Sequence, residues 1–122
     1  MARHNDIGHT GEQMATAFLT HHHYTIEAVN WRYGRAEIDI IARTPENTVV
    51  FIEVKTRRNT WYGPPESFVT PRKTQLMAQA AIGYLAAINH DWEFRFDVVA
   101  IQLHDWRTAS IRHFEDAFFP AW

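Results

Sequence analysis

The sequence predicts an α/β domain: a mixed β-sheet flanked by helices, in the order helix, three strands, helix, strand (α-β-β-β-α-β). Three observations carry this. A helix-period apolar stripe opens the chain, three strand-like segments follow with only short turns between them, and a second helical stretch separates the third strand from a fourth. A helix lying between two strands makes that pair parallel, joined by a right-handed crossover, so the sheet is mixed.

Thr10 to His22 places Met14, Ala15, Phe18 and Leu19 on one stripe. Thr10 is the expected N-cap, which puts Glu12 in the first turn, where a carboxylate suits the helix dipole. Tyr24 to Trp31 alternates as a strand, and Tyr33-Gly34-Arg35 turns the chain. Ala36 to Arg43 and Val49 to Thr56 are the next two strands, joined by Pro45-Glu46-Asn47. Arg57 to Thr70 reads as a long loop containing Gly63-Pro64-Pro65. Thr70-Pro71 then supplies an N-cap with proline at the first helical position, and the helix runs to about Asn89 with Leu76, Ala80, Tyr84 and Leu85 on its apolar face. Phe94 to Leu103 is the fourth strand, and Ser110 to Phe114 is a candidate fifth.

The chain of 122 residues carries no repeat or linker, so residues 1–122 read as a single domain. A hydrophobic share of 46% supports a globular core, and the absence of cysteine excludes a disulfide scaffold and thiolate zinc sites. No apolar run approaches the ~20 residues of a membrane helix. Met1 to Gly11 is polar, without a signal-peptide segment, so the expected setting is the cytoplasm with no membrane partner.

Net charge is only −2, but it is unevenly placed. From Arg32 to Lys73 eight basic residues stand against five acidic ones, a net of +3, which leaves −5 for the rest. The middle third is thus the part suited to face phosphate. Ten of the twelve basic residues are Arg, which makes Lys55 and Lys73 conspicuous.

The second and third strands allow a register argument. Ile38, Ile40 and Ala42 are expected on one face, opposite to Glu37, Asp39 and Ile41. In the next strand Val50, Ile52 and Val54 oppose Phe51, Glu53 and Lys55. A three-residue turn pairs Thr44 with Thr48 and therefore sets Asp39 across from Glu53 and Glu37 across from Lys55. Directly opposed carboxylates repel, and a divalent cation such as Mg²⁺ relieves the repulsion by bridging them, leaving room for water and phosphate oxygens. Lys55 projects from the same face, placed to support an attacking water or a phosphate charge. The same residues also fit a solvated polar face in which Glu37 and Lys55 form a cross-strand ion pair.

Gly11-Glu12 on a helix, Glu37-Ile38-Asp39 in a strand and Phe51-Ile52-Glu53-Val54-Lys55-Thr56-Arg57 in the next resemble the restriction-endonuclease-like PD-(D/E)xK nuclease superfamily. More narrowly, the chain resembles the small, uncharacterised bacterial YraN-type proteins, which resemble archaeal Holliday-junction resolvases. The likeness runs from about Gly8 to Leu103 and takes in Gly63-Pro64-Pro65-Glu66, Lys73 and Arg95-Phe96-Asp97, with Ala36 standing where glycine is the family's residue. It implies a restriction-endonuclease-like fold, Mg²⁺ or Mn²⁺ held by Asp39, Glu53 and the Val54 carbonyl, Lys55 as catalytic lysine, Glu12 as a further catalytic or metal-binding carboxylate, and Lys73 as an auxiliary phosphate or site contact.

His21-His22-His23 does not converge on one ion in a helix, since successive residues point about 100° apart. Trp61 and Tyr62 lie in the long loop beside Arg57 and Arg58, where stacking on bases and packing on their own domain are both open. Arg95 and Asp97 read as a structural ion pair, and the tail Phe118 to Trp122 as a docked segment or a dimer contact.

Three functions follow. The first is a Mg²⁺-dependent nuclease, a hydrolase of phosphodiester bonds in nucleic acid, with DNA, including branched or structured DNA, as the expected substrate. A resolvase-like role implies a homodimer. The alternative is a nucleic-acid-binding module without turnover, with Arg57, Arg58, Arg72 and Lys73 on phosphates. An interaction protein using the aromatic tail is a third.

Overall fold

A computed structural model describes residues 4–58, 69–105 and 108–118. Its elements are α1 (His4–His21), β1 (Thr25–Tyr33), β2 (Ala36–Arg43), β3 (Val49–Arg57), α2 (Pro71–Ala87), β4 (Phe94–Leu103) and β5 (Ala109–Phe114). The strands form one sheet in the order β1-β2-β3-β4-β5. Neighbours are antiparallel except β3 and β4, which run parallel across the α2 crossover. The α/β architecture is therefore the expected one, with Ala109–Phe114 confirmed as a fifth strand.

Two cores separate the helices. On one face α2 sets Met77, Ala80 and Ala81 against Ile41, Phe51, Phe96, Val98 and Ala100. On the other, α1 sets Ala15 and Leu19 against Ile40, Ala42, Val50, Ile52, Val99 and Ile101. β3 and β4 alternate strictly between the two, as a sheet covered on both sides must.

Local chemistry fixes the ends. Thr70 caps α2 by accepting from the Lys73 amide at 3.2 Å, with Pro71 beginning the helix. At its far end Asn89 takes φ of +54°, a conformation that asparagine tolerates, and His90 N donates to Leu85 O at 2.9 Å. Between β2 and β3, Thr44 N donates to Thr48 O at 3.0 Å and Thr48 N to Thr44 Oγ1 at 3.1 Å, while Asn47 turns the chain at φ +70°.

Two expectations are corrected. α1 begins at His4, so Thr10 is an interior residue and not its N-cap, and Glu12 sits mid-helix; the polar residues before Thr10 continue the helix instead of preceding it. The alternation expected along β2 also breaks. Ile40 and Ala42 face α1, but Ile38 joins Ile41 in the α2 core. The cause lies in β1, where Asn30 takes φ of +53°. The pairs Val29–Ile40 and Trp31–Ile38 flank that residue, which stands across from Asp39. A left-handed residue turns the strand over, and the partner strand follows.

At the start of β4 the buried Asp97 is saturated. Arg95 Nε lies 3.0 Å from Oδ1, Arg95 Nη2 3.1 Å from Oδ2, and Asp116 N donates to Oδ1 at 2.9 Å. His113 Nε2 stands 2.7 Å from Oδ2, which requires its proton on that nitrogen because a carboxylate only accepts. Arg95 and Asp97 thus form the expected structural pair. Phe118 packs on Phe96 with ring centroids 5.4 Å apart; the rest of the aromatic tail lies outside the described residues. No helix among the described residues is long and apolar enough to cross a membrane.

α1 reaches β3 through Gly11, where an added Cβ would stand 1.8 Å from Thr56 Oγ1. Gly11→Ala should therefore lower the unfolding free energy by about 1–3 kcal/mol in a urea titration, despite alanine's better helix propensity. Adding Thr56→Ala should recover part of the loss.

Candidate functional site

The Thr44–Thr48 turn sets the register of β2 and β3, and the pairs Arg43–Val49, Ala42–Val50, Ile41–Phe51 and Ile40–Ile52 obey it. There the pairing stops. Extended one step it would bring Asp39 across from Glu53. Instead the Asp39 side chain takes over, its Oδ2 accepting from the Val54 amide at 2.8 Å. β3 stays paired with β4 as far as Arg57–Gln102, so the strands part on one side only.

Glu53 pairs in register with Val98 and Lys55 with Ala100, both residues of the α2 core, so their side chains face α2. Lys73 comes down from the first turn of that helix. Its Nζ lies 3.5 Å from Glu53 Oε2, and Lys55 Nζ lies 3.6 Å from Glu53 Oε1. Glu53 is only 3% exposed, whereas both lysine side chains are one-third exposed (33%). Lys55 is thus paired with Glu53; Glu37, its partner in the polar-face reading, contacts Arg32 at 3.3 Å. The parting of the strands moves Glu37 and Lys55 out of register.

The electrostatics are unbalanced. Among the described residues Glu53 Oε2 accepts no hydrogen bond, although it is buried. Burial, and then the neighbouring Glu53 carboxylate, push the Asp39 acid up to about 7; the Val54 amide and Lys73 pull the other way, and Glu12 adds to the rise. Two carboxylates are therefore held together with too few donors between them.

Glu12 reaches the rim of this site from α1, positioned by the contact of Gly11 with Thr56. Its Oε2 accepts from Asn30 Nδ2 at 3.2 Å. Asn30 was not singled out from the sequence, although an asparagine inside a strand-like segment is a poor strand former that tolerates left-handed backbone. Among the described residues no group of three His, Asp or Glu side chains closes on one point, so the core of the site is the Asp39–Glu53 pair with Glu12 outside it. Two carboxylates are a set that Mg²⁺ or Mn²⁺ accepts, with waters and phosphate oxygens completing the shell.

Arg57 and Arg58 at the end of β3, and Arg72 in the first turn of α2, are exposed. The structure thus joins Asp39, Glu53, Lys55 and Lys73, sets Glu12 beside them, and leaves these three arginines facing solvent. His22 Nδ1 contacts Phe18 O at 2.8 Å at the end of α1. Trp61, Tyr62 and Gly63-Pro64-Pro65-Glu66 lie outside the described residues.

A pH dependence follows. Asp39 holds its proton more tightly in the folded chain than at its ordinary value of 3.8, so its contribution to stability declines as pH rises from about 4 to about 7. Without divalent metal, Asp39→Asn should stabilise the fold at pH 8 by on the order of 1–3 kcal/mol, and by much less at pH 4, where Asp39 is already protonated. Urea unfolding at both pH values checks this.

The profile of the family described as "Uncharacterised protein family UPF0102" matches residues 11–101, a span that contains Glu12, Asn30, Asp39, Glu53, Lys55 and Lys73. A UPF0102 protein of Flavobacterium psychrophilum is 44% identical over 119 residues, covering 98% of each chain. One of Pelobacter propionicus is 45% identical over 115 residues, 93% of this chain and 82% of its own. One of Phocaeicola vulgatus is 38% identical over 120 residues and 98% of each chain. With the site inside the matched span and the likeness running nearly end to end, the chain belongs to the UPF0102 family.

Proposed function

We propose that the protein is a divalent-metal-dependent phosphodiesterase of the PD-(D/E)xK type acting on nucleic acid, DNA in the first place. The observation that carries the reading is the half-buried Asp39 beside the buried Glu53, with Glu53 Oε2 lacking a hydrogen-bond donor among the described residues and two lysines beside it. A purely structural sheet would place opposite charges, or apolar side chains, at such adjoining positions.

Asp39 and Glu53, with the Val54 carbonyl, would hold Mg²⁺ or Mn²⁺. Such an ion supplies positive charge to the phosphate oxygens and lowers the pKa of a bound water. The remaining work belongs to the chain. The Val54 amide fixes the Asp39 carboxylate in one orientation. Lys55, anchored on Glu53 Oε1 and one-third exposed, presents its ammonium at the mouth of the site, where it stabilises charge on the scissile phosphate and orients an attacking water. Exposed Arg57, Arg58 and Arg72 neutralise neighbouring phosphates of the strand.

The test is cleavage of single-stranded, duplex and four-way-junction DNA with Mg²⁺ and Mn²⁺. The parent should cut at least one substrate, and Asp39→Asn and Lys55→Ala should each lower the rate by about 100-fold or more while keeping the parent's circular dichroism. Equal cleavage by all three proteins would sink the assignment. Intact DNA with every metal, alongside binding that weakens steeply with salt, would instead show a binding module.

A further inference from the structure

Lys73 is placed against local preference. It occupies the first turn of α2, which holds Arg72 as well and no acidic residue. The positive end of a helix dipole disfavours cations there. Its own amide is fixed by Thr70, so the side chain leaves the helix from a rigid base. The ammonium goes to Glu53 Oε2, the buried oxygen that accepts no hydrogen bond among the described residues, and stops 3.5 Å away. That is a charge contact without the short, aligned geometry of a settled buried ion pair.

Lys55 takes the other oxygen of Glu53 at 3.6 Å, so the two lysines divide the carboxylate between them. Their environments differ in one respect. Lys55 shares a strand with Glu53, whereas Lys73 reaches it from a helix on the sheet's face, with Arg72 next to it. A lysine stem so placed can turn outward without disturbing the sheet.

We propose that Lys73 is the stand-in for the divalent cation. Its ammonium neutralises Glu53 Oε2 while the metal is absent, is displaced when the metal binds that oxygen, and then serves the substrate as a phosphate contact beside Arg72. Metal and phosphate binding are thereby coupled through one side chain: the ion releases the lysine, and a phosphate holds the lysine away from the ion's place. This rests on the metal-binding reading of the site given above.

The experiment is calorimetric titration of Mn²⁺ alone into the full chain at pH 8, for the parent, Lys73→Ala and Lys73→Gln. Removing a competing cation should tighten Mn²⁺ binding by roughly ten-fold or more in both variants. A second measurement reads the released lysine. Ca²⁺ should strengthen the parent's binding of a short labelled DNA oligonucleotide, and should do so several-fold less in the variants. Unchanged or weaker Mn²⁺ binding by folded variants overturns the proposal while leaving the nuclease reading in place. Mn²⁺ uptake by the variants but not by the parent supports the stand-in role and removes the metal-dependent enzyme. No uptake by any of the three overturns both.

Discussion

The hydrogen bond from the Val54 amide to Asp39 Oδ2, at 2.8 Å, is the contact on which the site depends. In a regular antiparallel pair a backbone carbonyl would take that amide, and the strands would continue side by side. Here a side chain substitutes for the carbonyl, and β2 and β3 separate beyond Ile40–Ile52 with the Val54 amide still met. The separation opens a notch in the middle of a five-stranded sheet, where a gap in the ladder would otherwise be costly. It also holds one carboxylate beside another, since Glu53 precedes the residue whose amide Asp39 accepts. Asn30, left-handed at φ +53°, accommodates the same disturbance on the β1 side.

Among the described residues two acids are deeply buried, and their surroundings show opposite treatment. Asp97 is fully enclosed and meets a guanidinium, an imidazole N–H and a backbone amide, so each of its oxygens is satisfied. A carboxylate so provided for ties β4 to β5 and to the segment after it, and has nothing left to offer a ligand. Glu53, 3% exposed, has ammonium groups at 3.5 and 3.6 Å and an oxygen without a hydrogen bond. Desolvation is similar in the two cases, so compensation is what differs. In the proposed metal-binding reading, the compensation that Glu53 lacks is what a divalent cation would supply.

Much of this was legible in the sequence because the relevant signals are local. The three-residue turn after Thr44 fixed the β2–β3 register, the Thr70-Pro71 pair fixed the start of α2, and the crossover rule fixed the parallel β3–β4 pair. That register brings Asp39 to the neighbourhood of Glu53, but the direct pairing it implied is replaced by the Asp39 contact with the Val54 amide. What sequence reading missed depends on non-local geometry. Alternation assumes an unbroken pleat, so the change of face between Ile38 and Ile40 was invisible until Asn30 was seen in the left-handed region. The start of α1 was misplaced because Thr10 satisfies the residue preference of an N-cap while lying inside a helix. The pairing of Lys73 with Glu53 depends on how α2 crosses the sheet, which no spacing along the chain encodes.

Because the groups of the site arise on four elements, the site exists only in the assembled fold. Asp39 belongs to β2, Glu53 to β3, Lys73 to α2 and the rim carboxylate Glu12 to α1. Each element is seated by apolar contacts unrelated to the chemistry: Ala15 and Leu19 under α1, Met77, Ala80 and Ala81 under α2. Those contacts must supply the free energy that holds two carboxylates together against their repulsion, since neither hydrogen bonds nor ion pairs at the site balance it. The two cores therefore hold these groups together, a role that their composition does not reveal. A cavity in either would loosen a helix, and with it Lys73 or Glu12, long before the sheet itself came apart.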